Sequence, residues 1–204
     1  MNLLEHYARM QNFIEERIRE DIYPETPTKL HSGITGQMID RLNQIYPLQG
    51  KSILDCGCGQ GVALERFKAL GASPIGTTFG EDHRICQSKG FEVYEMDQSF
   101  LDFPVERFDV IWCRHALEHS LFPLFTLRGF YEVLKKDGIL YVEVPAPDTS
   151  SRHETNQNHY SCFTKNAWIS LFERSKFMMF EQMDIKFQTQ VGDDIYHSFF
   201  LKKI

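Results

Sequence analysis

Ser52-Ile53-Leu54-Asp55-Cys56-Gly57-Cys58-Gly59-Gln60-Gly61 is the stretch whose reading decides the fold. A short apolar strand runs into an acid, and three glycines follow at alternate positions. From Val62 to about Leu70 the pattern becomes helical. Glycine enters turns without steric cost and lets backbone approach a ligand closely. Strand, glycine loop and helix start together form a nucleotide-type binding corner.

Outward from this corner, strands and helices alternate. Strands are predicted at Ser52–Cys56, Pro74–Thr78, Glu92–Met96, Asp109–Cys113 and Ile139–Val144. Helices are predicted at Val62–Leu70, Asp82–Lys89 and Phe122–Lys135, with Asp137-Gly138 as a helix-to-strand turn. Such alternation implies βαβ units and a parallel sheet. Thr164 is placed to cap a helix running to about Ser175. Two strand-like runs follow, Met178–Phe187 and Ile195–Leu201, too close for a parallel crossover and therefore antiparallel. The polar stretch Pro145–Phe163 lacks periodicity; a loop of that length in a compact domain is usually functional or disordered.

Upstream, Leu3, Tyr7, Met10, Ile14, Ile18 and Ile22 recur at helical spacing until Pro24 and Pro27. A second helix is predicted over Ile34–Tyr46. These helices read either as packing elements or as a cap. The whole chain is expected to be a single domain, with residues 1–49 a helical extension and 50–204 the cofactor-binding core.

The 204 residues suffice for one core, and 42% apolar with 25% charged residues is ordinary for a soluble protein. No apolar run approaches a membrane span, and the N-terminal stretch lacks a signal-peptide core, so a cytoplasmic location and no membrane partner are expected. A net charge of −6 without a Lys/Arg cluster argues against nucleic acid. The five cysteines include no C-x-x-C pair, which disfavours zinc or a disulfide framework. A small-molecule partner fits best; oligomeric state is not read from this sequence.

The spacing Gly57-x-Gly59-x-Gly61 puts Val62 where a dinucleotide fingerprint wants glycine, which disfavours a nicotinamide-dependent reductase. No Gly-Lys-Ser/Thr follows either. Asp55 would repel phosphate and welcome an ammonium group. A ligand with an amino-acid moiety suits this corner.

Asp55-Cys56-Gly57-Cys58-Gly59-Gln60-Gly61 resembles the first motif of class I S-adenosylmethionine-dependent methyltransferases. Further segments resemble that family in its order: Phe108-Asp109-Val110-Ile111-Trp112, His115-Ala116-Leu117-Glu118-His119, Glu132 to Leu140, His159-Tyr160-Ser161-Cys162-Phe163-Thr164, and Leu171 to Phe177. The resemblance covers about residues 50 to 204. It implies a Rossmann-like three-layer α/β sandwich around a seven-stranded, mostly parallel sheet with an antiparallel last strand. It implies that Asp55, Cys56, Gly57, Cys58 and Gly59 cradle the methionine part of the cofactor. Asp97 would meet the adenine amino group, Gln98 and the Arg114 backbone would add contacts, and Phe79 would pack on adenine. The family's usual acid at the end of the second strand is replaced by Thr78, with Glu81 or Asp82 near enough to reach back.

Methyl transfer to an oxygen or nitrogen of a small molecule is thus the expected function. The other reading is a non-catalytic interaction or regulatory protein that keeps the fold, which Thr78 would favour. For a hydroxyl acceptor the candidate bases are His119, His159 and His115, with His153 more remote. His153-Glu154 with His159 does not have a zinc spacing, and no metal is expected. Gly57→Val is expected to weaken cofactor binding far more than thermal stability.

Overall fold

The computed structural model describes residues 2–20 and 26–204, Ile18 by its backbone alone. Ile22 and Pro24 lie outside the described residues. The glycine corner sits at the centre of a seven-stranded sheet. Strand β1 (Ser52–Cys56) lies between β2 (Ser73–Thr77) and β4 (Phe108–Arg114). Outside them are β3 (Val93–Tyr94), β5 (Leu134–Pro145), β6 (Phe177–Thr189) and β7 (Gly192–Lys203). The order is β3-β2-β1-β4-β5-β7-β6, with β7 antiparallel to both its neighbours and the remaining pairs parallel. Chain order reverses between β1 and β4, so the loops leaving these strands diverge and open a crevice at their carboxyl ends.

Alternation along β4 builds both cores, because successive strand residues face opposite ways. Val110 and Trp112 point to one face, Ile111 and Cys113 to the other. On the first face α2 (Lys29–Ile45) and α3 (Val62–Ala69) bury Ile39, Leu42 and Phe67 against Trp112, Tyr141 and Phe200. Trp112 stacks on Tyr141 at 4.0 Å. On the second face α5 (Pro123–Val133) and α6 (Lys165–Arg174) bury Leu127, Phe130, Trp168 and Phe172. Thr164 caps α6 as its sequence implies, its side chain accepting from Ala167 N–H at 3.4 Å.

The predicted elements are all present, with shifted ends. Helix α2 starts at Lys29 because Thr28 Oγ1 accepts from His31 N–H at 3.2 Å. Helix α4 (Gly80–Ser88) starts before Asp82, and β3 keeps only two residues. Helix α5 stops at Val133 rather than Lys135. The chain enters β5 at once and bulges between Leu134 and Ile139, Asp137 taking φ +62°. Strands β6 and β7 extend toward each other, so the loop between them shrinks to residues 190–191.

Helix α1 (Leu3–Glu20) does not pack as its pattern suggests. Among its described side chains, Leu3, Tyr7, Met10 and Phe13 are exposed and Ile14 is buried. Ile14 and Arg17 reach the crevice, which favours the cap reading over plain packing. No helix of the described residues is long and apolar enough to cross a membrane. All five cysteines are free thiols.

Candidate cofactor and acceptor clefts

The loop after β1 turns on three left-handed glycines: Gly57 (φ +72°), Gly59 (φ +50°) and Gly61 (φ +85°). The Gly57 and Cys58 amides both donate to the Thr77 carbonyl at 2.9 Å, pinning the loop to the end of β2. A Cβ on Gly57 would stand 2.7 Å from Ala116 Cβ. A side chain there therefore disturbs the fold as well as any ligand, and the expectation that Gly57→Val spares stability fails on this contact.

Two clefts meet at this loop, and both are bounded by Gly57, Gly59, His115 and His119. The first, about 240 Å³, lies over the ends of β2 and β3. It gathers Thr78, Phe79, Asp97 and Gln98, four of the residues singled out by sequence. Asp97 Oδ1 accepts from Ser99 N–H at 2.7 Å, which fixes its carboxylate, and Gln98 donates to the Ala116 carbonyl. Asp82, from the first turn of α4, is buried and lines the same cleft, its Oδ2 lying 3.9 Å from a Cβ built on Gly59. A buried carboxylate thus lines the same cleft four residues after Thr78. Glu81 turns outward and pairs with Arg84 at 2.9 Å.

The second cleft, about 320 Å³, lies on the other side of the glycine loop, beside β4 and β7. Asp55, Cys58 and Arg114 face it, whereas Cys56 is fully buried and lines neither cleft. Asp55 is 3% exposed, and its Oδ2 has no hydrogen-bond partner among the described residues. Burial, with Cys86 adding to it and Arg114 opposing, pushes the Asp55 carboxyl up to about 8. An orphaned buried carboxylate beneath glycine amides fits a ligand that brings an ammonium group. That is the donor set the amino-acid end of S-adenosylmethionine requires.

Histidines crowd the second cleft. His115, at φ +51°, donates its backbone N–H to the Glu143 carbonyl at 2.8 Å. Its ring lies between Glu143 Oε1 (3.2 Å) and Glu118 Oε1 (3.5 Å). Burial and Arg114 work against its charge, yet the two carboxylates prevail and raise its pKa. His115 is therefore held toward the charged form, which suits orientation better than base chemistry. His119 Nδ1 sits 2.8 Å from the Asn158 carbonyl. His159 packs edge-on against His119, with ring centroids 4.9 Å apart, and burial lowers its pKa, keeping it neutral. His153 binds Asp194 Oδ2 at 2.9 Å, and Glu154 accepts from Asp148 N–H. The trio His153, Glu154 and His159 is thus not gathered as ligands.

Sequence reasoning missed four members of this cleft's framework. Glu143 is fully buried in β5, paired with Arg114 Nε at 2.8 Å and receiving the Tyr141 hydroxyl. A lone acid inside the apolar run Ile139–Val144 was its available signal. His31 Nε2 lies 3.0 Å from the Tyr196 hydroxyl, joining α2 to β7 across the chain. Glu118 is 1% exposed beside His115 and His119. Nothing local in the sequence marks His31 or Tyr196.

The family described as "Methyltransferase domain" matches residues 30–178. Among curated proteins, the ubiquinone biosynthesis O-methyltransferase of Glaesserella parasuis serovar 5 is 28% identical over 115 residues, 50% of this chain and 48% of that protein. That of Actinobacillus pleuropneumoniae serotype 7 is 33% identical over 106 residues, 46% of this chain and 45% of that protein. The chain thus spans about half the length of the curated relatives it matches. The fold is shared with a putative sarcosine dimethylglycine methyltransferase of Galdieria sulphuraria (TM-score 0.70, 14% identity, 83% of this chain and 85% of that one). It is shared as well with a SAM-dependent methyltransferase of Archaeoglobus fulgidus (TM-score 0.66, 20% identity, 84% and 94%). With this match spanning the glycine corner and strands β1 to β5, the chain belongs to the methyltransferase domain family, and its motifs resemble those of the class I S-adenosylmethionine-dependent methyltransferases.

Proposed function

We propose that this protein transfers a methyl group from S-adenosylmethionine to a hydroxyl oxygen of a small-molecule acceptor. The observation that carries the reading is Asp55, buried with an orphaned Oδ2 at the foot of the glycine loop where two clefts meet. The names of the two curated relatives above, both ubiquinone biosynthesis O-methyltransferases, and the lowered pKa of His159 favour oxygen over nitrogen.

In this reading Asp55 takes the ammonium, and the backbone of Gly57, Cys58 and Gly59 follows the methionine chain. Asp82 and Thr78 take the ribose hydroxyls, and Asp97, Gln98 and Phe79 take the adenine. The part of the second cleft beyond Asp55 and the glycine loop, beside His115, His119 and His159, takes the acceptor. Bound S-adenosylmethionine supplies an electrophilic methyl on a sulfonium. The residues of this chain hold an acceptor hydroxyl at the junction, where positioning contributes much of the acceleration. They also help it lose its proton, the task of His119 and His159. His115, clamped by Glu118 and Glu143, fixes the wall between the clefts.

Residues 1–204 act as one unit in this proposal, with α1 as its cap. Calorimetry with S-adenosylhomocysteine tests the reading. Micromolar binding is expected, and no heat at millimolar ligand overturns it. Fluorescence titration with a nicotinamide cofactor is expected to show no binding.

A further inference from the structure

We propose that Glu118, His119 and His159 hold one divalent transition-metal ion at the junction of the two clefts. Each offers one ligand atom, and these atoms lie within 4.8 Å of one another. Two imidazoles and a carboxylate are the donor set of borderline metals such as Zn²⁺, Fe²⁺ or Mn²⁺, and three protein ligands leave positions open for an oxygen ligand.

Two of the three side chains carry an unexplained polar atom. Glu118 is 1% exposed, and its Oε2 has no hydrogen-bond partner among the described residues. A carboxylate oxygen withdrawn from water without a partner is costly. Its Oε1 faces His115 and so is already engaged. The buried Nδ1 of His159 likewise has no hydrogen-bond partner among the described residues. His119 is oriented for a cation: a backbone carbonyl accepts only, so Nδ1 must be the donor to Asn158 and Nε2 carries the lone pair. A ring N–H donated to a carbonyl is the outer-shell arrangement that fixes metal-binding histidines.

The site is also stapled together. Glu118 and His119 lie on the 3-10 turn Leu117–His119, while His159 comes from the long polar loop. Three hydrogen bonds flank His159 and tie that loop to the turn. They run from Ser161 N–H to the Glu118 carbonyl (2.9 Å), from Ser161 Oγ to the Ser120 carbonyl (2.8 Å), and from His119 to Asn158 (2.8 Å).

The cation site stands on this geometry alone; its role rests on the methyl-transfer reading. A cation there acts as a Lewis acid on an acceptor hydroxyl and lowers its pKa. With the cation bound, His119 and His159 promote this deprotonation as its ligands rather than as bases; the hydroxyl proton leaves to solvent, and the oxygen's electron pair forms the new O–CH₃ bond. The S–CH₃ bond breaks with its pair retained by sulfur.

The test uses the full, tag-free chain, stripped with chelator and titrated with Co²⁺ by visible absorption and with Zn²⁺ by calorimetry. One equivalent is expected to bind, with Co²⁺ absorption altered from that of the aqueous ion. Glu118→Gln and His159→Asn are each expected to weaken affinity at least tenfold, the scale of losing a ligand or its support. His83→Gln, on α4 and lining neither cleft, is expected to change nothing. No binding at millimolar cation, an aqueous-ion spectrum from the unaltered chain, or equal affinity in both variants overturns the site. The spectrum decides even where a variant fails to fold. S-adenosylhomocysteine is titrated in parallel: its failure to bind would sink the methyl-transfer reading and leave the cation site standing.

Discussion

A carboxyl group raised to about 8 is mostly protonated at pH 7, and this is the state burial imposes on Asp55. Pairing with a ligand's ammonium requires the anion, so binding must release that proton. Calorimetry of S-adenosylhomocysteine at pH 7 in buffers of different ionisation enthalpy is expected to show release of close to one proton. Asp55→Asn is expected to abolish that release and weaken binding at least tenfold, or about 1.4 kcal/mol, with thermal stability unchanged or raised. Equal proton release in the variant refutes the role. The neighbouring residues divide the ribose question. A hydroxyl makes weaker hydrogen bonds than a carboxylate, and Asp82 is buried in the same cleft as Thr78. Asp82→Ala is therefore expected to weaken S-adenosylhomocysteine at least tenfold, Thr78→Ala only about two- to threefold. The opposite ranking, read from the two dissociation constants, assigns the ribose to Thr78.

Two elements far apart in sequence close over the first cleft. Arg17 of α1 hydrogen-bonds Tyr160 of the long loop, and both line the cleft with Ile14. Among the described side chains of α1, Leu3, Leu4, Tyr7, Met10 and Phe13 are exposed, and Ile14 and Arg17 are the ones that reach the cleft. Arg17→Ala is expected to speed S-adenosylhomocysteine dissociation about tenfold in stopped-flow displacement, close to 1.4 kcal/mol, with little change in melting temperature. An unaltered rate means that α1 is no lid. The elements themselves were legible because each carries its own period: the β1 run into glycines, the apolar faces of α2 and α6, the short gap before the antiparallel pair. Their ends were less so, since Thr28 at a cap and the bulge before Ile139 depend on bonds that periodicity does not report. The first cleft was legible because its residues follow strand ends in sequence. The second was legible only in part: His31, Glu118, Glu143 and Tyr196 come from four separate segments and meet Asp55, His115, His119 and His159 only through the topology. Asp82, which the sequence offers with Glu81 as able to reach back toward Thr78, comes over the glycine loop because α4 turns back across it.

Across the whole molecule, buried charge sets how stability follows pH. Asp55 and His115 both have raised folded-state pKa values. A raised group stabilises fully below its unfolded pKa, and that contribution fades as pH climbs through the folded value. For Asp55 the loss runs from about 4 to about 8, and for His115 it lies above about 6.5. Glu118, Glu143 and Asp184 have lowered values, Asp184 to about 2. Their contribution is present above the usual carboxylate range and fades as pH falls through the folded values. The opposing slopes place maximum stability of the ligand-free protein at about pH 5 to 6. Melting temperature is expected to fall from there toward pH 8, where Asp55 begins to ionise without a partner. Saturating S-adenosylhomocysteine should flatten this alkaline fall, because the ammonium supplies that partner. Asp55→Asn should flatten it without ligand, since an amide has no proton to lose. A wild-type profile that keeps rising to pH 8, or a variant that falls as steeply as wild type, would remove Asp55 from this account and leave the slope to His115.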